Sequence, residues 1–174
     1  MGTALVLGVG YTVPPLKFSH RGLGEIAVAL AHSLLVVQAG MLVVGGRVYD
    51  PAVFEIGLPL FFAVIPSISL SGLPDLDADK AAGKSTLVVK LGIRPVAVMA
   101  SGSALAACLL VFLWSDRWPS WTLVAMAIHA ILVIFAALSL CPRPESRRID
   151  GVMIASLSYV LWFPTVPLLA AARF

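Results

Sequence analysis

Long apolar segments constrain this chain more than any other feature of its sequence. A helix needs about 20 residues to cross the ~30 Å of hydrocarbon in a bilayer. Five segments meet or approach that length: residues 25–46, 52–73, 95–114, 119–141 and 151–172. Lipid offers the backbone no hydrogen-bonding partner, so each segment should be helical. We therefore predict an all-α polytopic membrane helix bundle that forms a single domain over residues 1–174.

Composition supports membrane insertion. The 174 residues are 60% hydrophobic and 12% charged, with a mean hydropathy of +0.99, whereas soluble domains carry about 25% charged residues. The net charge of +3 is not gathered on one stripe, so no nucleic-acid partner is expected. Cys108 and Cys141 fall inside apolar segments and are interpreted as packing residues rather than as a disulfide framework.

The first 13 residues are also apolar, but at 1.5 Å per residue they would reach only ~20 Å. They are too short for a full span. We interpret them as the end of a helix whose beginning is missing, which gives about five full transmembrane helices plus an N-terminal partial helix. A half-membrane or interfacial segment is the alternative.

The basic residues alternate between the two sides of the predicted bundle. Nine fall on one side and three on the other. The nine are Lys17, Arg21, Lys80, Lys84, Lys90, Arg94, Arg143, Arg147 and Arg148, and the three are Arg47, Arg117 and Arg173. Basic loops stay in the cytoplasm, so we predict a multi-pass protein of the cell (inner) membrane with the richer side cytoplasmic.

The cytoplasmic side also carries an acidic cluster. Three of the nine acidic residues, Asp75, Asp77 and Asp79, occupy five positions. If Pro74 opens a helix, Asp75 and Asp79 share one face and Asp77 points some 200° away. Carboxylates on one face repel each other, and Mg²⁺ would remove that penalty because it prefers carboxylate oxygens, waters and phosphates. A solvated loop of mixed charge is the other interpretation.

Basic residues near these acids suit a phosphate group. Lys80 and Lys84 supply the point charges and donors that a diphosphate binds. Tyr11, Lys17 and Arg21 lie in the other polar segment predicted for the same side. From the residues alone, Lys17 and Arg21 either hold phosphate or act as ordinary positive-inside anchors.

Together, the two polar segments resemble the UbiA-type membrane prenyltransferases. Residues 11–25, which read YTVPPLKFSHRGLGE, look like that family's link between its fourth and fifth helices. Residues 75–92, which read DLDADKAAGKSTLVVKLG, look like its second aspartate-rich motif. The acid spacing, the Gly-Lys-x-Thr-Leu pattern and the closing Lys-Leu-Gly all agree, and the order of the spans fits as well.

The resemblance implies a nine-helix bundle that transfers a polyprenyl group from its diphosphate to an aromatic or other lipid-pathway acceptor, as in quinone biosynthesis. Mg²⁺ would be the cofactor. By position, Asp75 and Asp79 would be metal ligands and catalytic residues. Lys84 would be a catalytic contact of the diphosphate. Tyr11, Lys17, Arg21 and Lys80 would bind substrate.

The sequence departs from this family in one respect. The family's first aspartate-rich motif, between its second and third helices, has no counterpart here, and no acidic residue precedes Glu25. We therefore expect the chain to correspond to the C-terminal part of a prenyltransferase, N-terminally truncated, with an N-terminal half as a missing partner. The alternative is a catalytically inactive membrane subunit or fragment that retains the fold. The reading frame upstream of the Met1 codon separates the two: further apolar spans and an Asn/Asp-rich motif would indicate an enzyme.

Polar and aromatic residues inside the spans are secondary candidates. His32 and His129 either line a substrate cavity or hydrogen-bond between helices. Trp114, Trp118 and Trp121 cluster near the non-cytoplasmic ends of two spans, where aromatic belts anchor membrane proteins.

Overall fold

The structure, a computed structural model, describes residues 2–142 and 148–171, without the side chains of Arg117 and residues 167–171. Arg143, Arg147 and Arg173 lie outside the described residues. Every regular element within these ranges is helical, which confirms the all-α prediction. The helices are α1 (Gly2–Gly10), α2 (Phe18–Arg21), α3 (Gly24–Leu30), α4 (Val36–Val43), α5 (Pro51–Leu70), α6 (Leu76–Ala81), α7 (Leu87–Leu91), α8 (Ile93–Leu113), α9 (Ser120–Leu138), α10 (Asp150–Val160) and α11 (Trp162–Ala171).

Four helices in the described part of the chain are long and apolar enough to cross a membrane. They are Gly24–Val43, Pro51–Leu70, Ile93–Leu113 and Ser120–Leu138. The first consists of α3 and α4 joined by a π-helical stretch, Ala31–Leu35. These four match four of the five predicted segments and confirm a polytopic helical bundle.

The fifth predicted segment is interrupted. A turn at Leu161 separates α10 from α11. Pro164 explains the position of the turn. Proline has no N–H to donate to the carbonyl four residues earlier, and that carbonyl belongs to Val160, the last residue of α10.

Helix α5 is the central element of the bundle. It packs against α8, the π-helical stretch, α10 and α3, and its interior positions Pro59 and Pro66 are buried. Its first turn is well capped, since Pro51 occupies a position where no N–H is needed and the Asp50 side chain accepts a hydrogen bond from the Ala52 N–H at 2.9 Å.

The buried apolar residues form two clusters. The larger joins α5, α8, α9, α10 and α11 around Met126, Tyr159 and Phe163. The smaller lies at one end of the bundle and includes Leu73, Leu76 and Val88. Because Leu76 begins α6 and Val88 lies in α7, this second cluster fixes both short helices against the bundle.

The three loops predicted to be cytoplasmic meet at this same end. The Ser85 N–H donates to the Ser19 carbonyl at 3.2 Å, and the Lys90 Nζ donates to the Arg21 carbonyl at 2.6 Å. The Arg94 Nε donates to the Cys141 carbonyl at 3.1 Å. The described basic residues of the richer side therefore share one end of the bundle.

His129 forms hydrogen bonds to neighbouring helices. The Trp162 Nε1–H donates to His129 Nδ1 at 2.8 Å. An indole is only a donor, so Nδ1 carries no proton, and we assign the neutral ring's hydrogen to Nε2, which lies 3.0 Å from the Ala155 carbonyl oxygen. Both ring nitrogens are thus engaged between α9, α10 and α11.

Trp118 corrects the aromatic-belt prediction. It is only 5% exposed and its ring packs edge to face on Phe163, with centroids 5.8 Å apart. It is a core residue because the larger cluster extends to this end of α9. Trp121 is 53% exposed, as a belt residue should be.

Because α5 packs closely on the π-helical stretch, we predict that a side chain added at Gly57 destabilises the fold. A Cβ at Gly57 would lie 2.8 Å from the Leu34 Cδ2 and 3.2 Å from its Cα. We expect Gly57→Ala to lower the free energy of unfolding by about 1–3 kcal/mol. The matched control is Gly102→Ala in α8, where a Cβ meets nothing within 4 Å, and which should stabilise by about 0.5–1 kcal/mol. Unfolding in detergent measures both, and equal effects would contradict the packing.

Candidate functional site

A polar cavity of about 140 Å³ lies where the two polar segments of the sequence meet. Residues from the turn after α1, from α2 and α3, and from the end of α5 through the start of α7 contribute to its wall. They are Tyr11, Ser19, Glu25, Ile68, Ser71, Gly72, Asp75, Asp79, Lys84 and Thr86. Four of the residues singled out from the sequence, Tyr11, Asp75, Asp79 and Lys84, therefore lie on one cavity.

Helix α6 presents the two aspartates to this cavity. The helix begins at Leu76 rather than at Pro74, and Asp75 directly precedes it. The Asp79 N–H donates to the Asp75 carbonyl at 2.8 Å, so the two residues are one helical turn apart. Asp77, between them, is exposed and is not on the cavity wall.

A tight turn brings Lys84 back onto Asp79. Gly83 has φ +69°, a left-handed conformation that glycine adopts without steric cost. The Lys84 Nζ then lies 2.8 Å from Asp79 Oδ1. This hydrogen bond and the charge of Asp79 raise the pKa of Lys84 above its ordinary value. Asp79 is buried while the lysine side chain remains 44% exposed.

The other predicted basic residues do not reach the cavity wall. Lys17 is exposed, and its backbone is left-handed with φ 44°. The Arg21 guanidinium donates to the Pro15 carbonyl at 2.8 Å, which closes the loop on itself. Lys80 is exposed on α6.

Glu25 is a site residue that the sequence interpretation did not single out. It lies in the first turn of α3 and is only 7% exposed. Its Oε1 accepts a hydrogen bond from the Leu87 N–H at 2.7 Å, at the start of α7. The signal available in the sequence was a carboxylate directly preceding a long apolar span, where an ionised side chain is costly unless it is used.

A larger apolar cavity of about 440 Å³ lies between α1 and the Gly24–Val43 helix. Its wall includes Leu7, Val28, His32 and Leu35. Tyr11 lines both this cavity and the polar one. His32, one of the two histidines considered from the sequence, is therefore on a cavity wall, and its Nδ1 lies 2.9 Å from the Val28 carbonyl oxygen.

The polar cavity suits a metal ion that is shared with a substrate. Within residues 2–142 and 148–171, no three His, Cys, Asp or Glu side chains lie close enough together to hold a metal ion. Mg²⁺ is commonly bound by one or two carboxylates, with phosphates and waters as the remaining ligands. Asp75 and Asp79 fit that arrangement, and they do not form an all-protein cage.

Comparison with known proteins identifies the family of the chain. A sequence model of the UbiA prenyltransferase family matches residues 1–158. The chain belongs to the UbiA prenyltransferase family. The match covers α1 through most of α10, including every residue on the wall of the polar cavity.

Curated relatives are all longer than this chain. A chloroplastic 2-acyl-4-prenylphloroglucinol 6-prenyltransferase of Humulus lupulus is 29% identical over 91% of the chain and 41% of its own length. A 1,4-dihydroxy-2-naphthoate octaprenyltransferase of Escherichia coli is 25% identical over 92% of the chain and 54% of its own length. A digeranylgeranylglyceryl phosphate synthase of Methanoregula boonei is 32% identical over 52% of the chain and 33% of its own length. The chain thus spans about a third to a half of these relatives. No solved structure gives a significant match.

The Asp79–Lys84 ion pair predicts a pH dependence. A raised lysine pKa means that the pair contributes its full stability below the ordinary value of 10.5 and loses it as the pH rises through the folded-state pKa. We expect Lys84→Met to be less stable than the wild type near pH 8, with the difference shrinking above pH 10.5. Lys80→Met, four residues earlier on α6, is the control, and melting temperatures in detergent measure the difference. A gap that stays constant up to pH 11.5 would contradict the ion pair.

Proposed function

We propose that this protein transfers a polyprenyl group from a polyprenyl diphosphate to a lipid-pathway acceptor in a Mg²⁺-dependent reaction at the polar cavity. The observation that carries the proposal is the joint placement of Asp75, Asp79 and Lys84 on one cavity wall, in a chain of the UbiA prenyltransferase family. The apolar cavity that shares Tyr11 with it offers room for a prenyl tail.

The acidic and basic residues of the site would have different roles. Asp75 and Asp79 would hold the metal ion, which when bound neutralises charge on the departing diphosphate oxygens. Lys84 carries an ammonium group, and it can donate a hydrogen bond to a diphosphate oxygen. Lys17, Arg21 and Lys80 surround the same end of the bundle and would attract the anionic substrate.

The relatives supply the candidate acceptors. Two are named for aromatic acceptors, a prenylated acylphloroglucinol and a dihydroxynaphthoate, and one for a glyceryl phosphate product. An aromatic or other hydrophobic acceptor at the polar end of the bundle is the common feature that we carry over to this chain.

The membrane orientation follows from the basic loops. We propose a multi-pass protein of the cell (inner) membrane, with the polar cavity at the cytoplasmic face because the basic end of the bundle should remain there. Residues 1–174 would form one transmembrane domain, and a further aspartate-rich segment from an N-terminal half would complete the metal site.

The metal assignment is tested by a pair of aspartate variants. In the full-length protein, Asp75→Asn should lower Mg²⁺-dependent prenyl transfer by about 100-fold or more, because it removes a ligand of the ion that stabilises the leaving group. Asp77→Asn, two residues away and off the cavity wall, is the matched control and should keep most of the activity. Transfer of a labelled prenyl group into extractable lipid measures both.

Equal activity of the two variants would refute the metal assignment. A wild-type protein that folds but transfers no prenyl group to any acceptor would instead favour a catalytically inactive membrane subunit or fragment.

A further inference from the structure

Two polar atoms on the wall of the polar cavity are buried and unpaired. Glu25 Oε2 and Thr86 Oγ1 have no hydrogen-bond partner within residues 2–142 and 148–171. Both residues line the cavity, and Glu25 is 7% exposed. Buried polar atoms nearly always have a partner because leaving them unpaired costs stability. Two such atoms on one cavity point to a ligand that pairs with them.

Glu25 is held in place by its other oxygen. Oε1 accepts the Leu87 N–H at 2.7 Å, and Thr86 directly precedes Leu87. The contact therefore holds the Glu25 carboxylate at the residue that follows Thr86, although Glu25 and Thr86 are more than 60 positions apart in the sequence. Both residues line the same cavity.

The chemistry of the pair selects the ligand. An ionised carboxylate only accepts hydrogen bonds, whereas a threonine hydroxyl can donate one. Diphosphate oxygens also only accept, and their charge would be repelled by Glu25. A hydroxyl group both donates and accepts, so it can satisfy the two atoms at once.

The basic residue on the cavity wall, Lys84, already forms an ion pair. Lys84 is paired with Asp79 at 2.8 Å, and in the part of the chain that the structure describes Glu25 belongs to no group of three metal-ligand side chains. Glu25 is therefore considered apart from the Asp75 and Asp79 pair. The wall therefore has two chemically different parts. One part suits an anion with its metal ion, and the other suits a ligand group that donates a hydrogen bond.

We propose that Glu25 and Thr86 bind a hydroxyl group of the prenyl acceptor. This inference rests on the proposed function and adds to it two acceptor-binding residues on the cavity wall. Glu25 acts here as a binding residue that orients the acceptor relative to the diphosphate held by the Asp75, Asp79 and Lys84 group.

The test separates binding of the hydroxyl from binding of the diphosphate. The full-length protein in detergent is titrated with 1,4-dihydroxy-2-naphthoate, with its 1,4-dimethoxy analogue, and with magnesium diphosphate. The wild type should bind the dihydroxy compound at least about tenfold more tightly than the dimethoxy one, since a hydrogen bond to a buried charged group is lost in the latter.

Glu25→Gln is the decisive variant because its side-chain oxygen can still accept the Leu87 N–H while Oε2 becomes an NH₂ donor. This variant should bind the dihydroxy compound at least about tenfold more weakly than the wild type and bind magnesium diphosphate with unchanged affinity. Thr86→Val, which keeps the side-chain shape, should weaken the dihydroxy compound by a smaller factor. Asp75→Asn should weaken the binding of magnesium diphosphate and leave the binding of the dihydroxy compound unchanged. Glu55→Gln, on α5 and off the cavity wall, is the control and should bind both ligands as the wild type does.

Three results would overturn the inference. Wild-type affinities in Glu25→Gln would mean that Glu25 only holds α7. Weaker binding of magnesium diphosphate by Glu25→Gln would place Glu25 at the metal ion. A wild type that binds magnesium diphosphate but neither the dihydroxy compound nor an acylphloroglucinol would refute the hydroxyl site and leave the proposed diphosphate site intact. Loss of the proposed function looks different, because magnesium diphosphate itself would then fail to bind.

Discussion

The absence of hydrogen-bonding partners in a bilayer is the constraint on which this structure depends. Backbone groups in lipid must be satisfied within their own segment, so the apolar part of the chain is helical and the irregular backbone is collected at the ends. At one end, the segments before α3 and after α5 are both irregular and both polar. Hydrogen bonds join the two segments: the Ser85 N–H donates to the Ser19 carbonyl, and the Lys90 side chain donates to the Arg21 carbonyl. A polar cavity forms where these segments meet.

The carboxylates on the cavity wall differ in burial and in their hydrogen-bonding partners. Asp79 is buried and has Lys84 as its partner at 2.8 Å, whereas Glu25 is buried with one oxygen bound to a backbone amide and the other unpaired. Asp75 is exposed. The three carboxylates on the cavity wall therefore have three different environments. A site built this way can hold a metal-bound anion and an uncharged donor side by side.

What the sequence could predict depends on how local each feature is. Spans follow from length and hydropathy alone, so four of the five predicted segments correspond to continuous helices, and the break in the fifth follows from Pro164. The placement of Asp75 and Asp79 on one wall follows from a four-residue spacing on a helix. Their role as ligands stays a prediction, because spacing does not report a metal.

Features that depend on distant partners could not be predicted. The sequence left phosphate binding and anchoring open for Lys17 and Arg21, and their role stays a prediction; the structure shows that the Arg21 guanidinium donates to the Pro15 carbonyl. Trp118 looked like a belt residue because of its position at a helix end, and the packing of Phe163 against it decided otherwise. Glu25 finds its partner 62 residues away at Leu87, and no periodicity in the sequence connects those two positions.

The turn at Leu161 is followed by a polar contact at the start of α11. Trp162, the first residue of that helix, donates to His129 on α9, and Phe163 packs into the core. The last described helix is therefore joined to the bundle by a hydrogen bond between side chains as well as by burial. Removal of the His129 ring would leave the Trp162 indole N–H without that acceptor among apolar side chains, where an unpaired donor is costly.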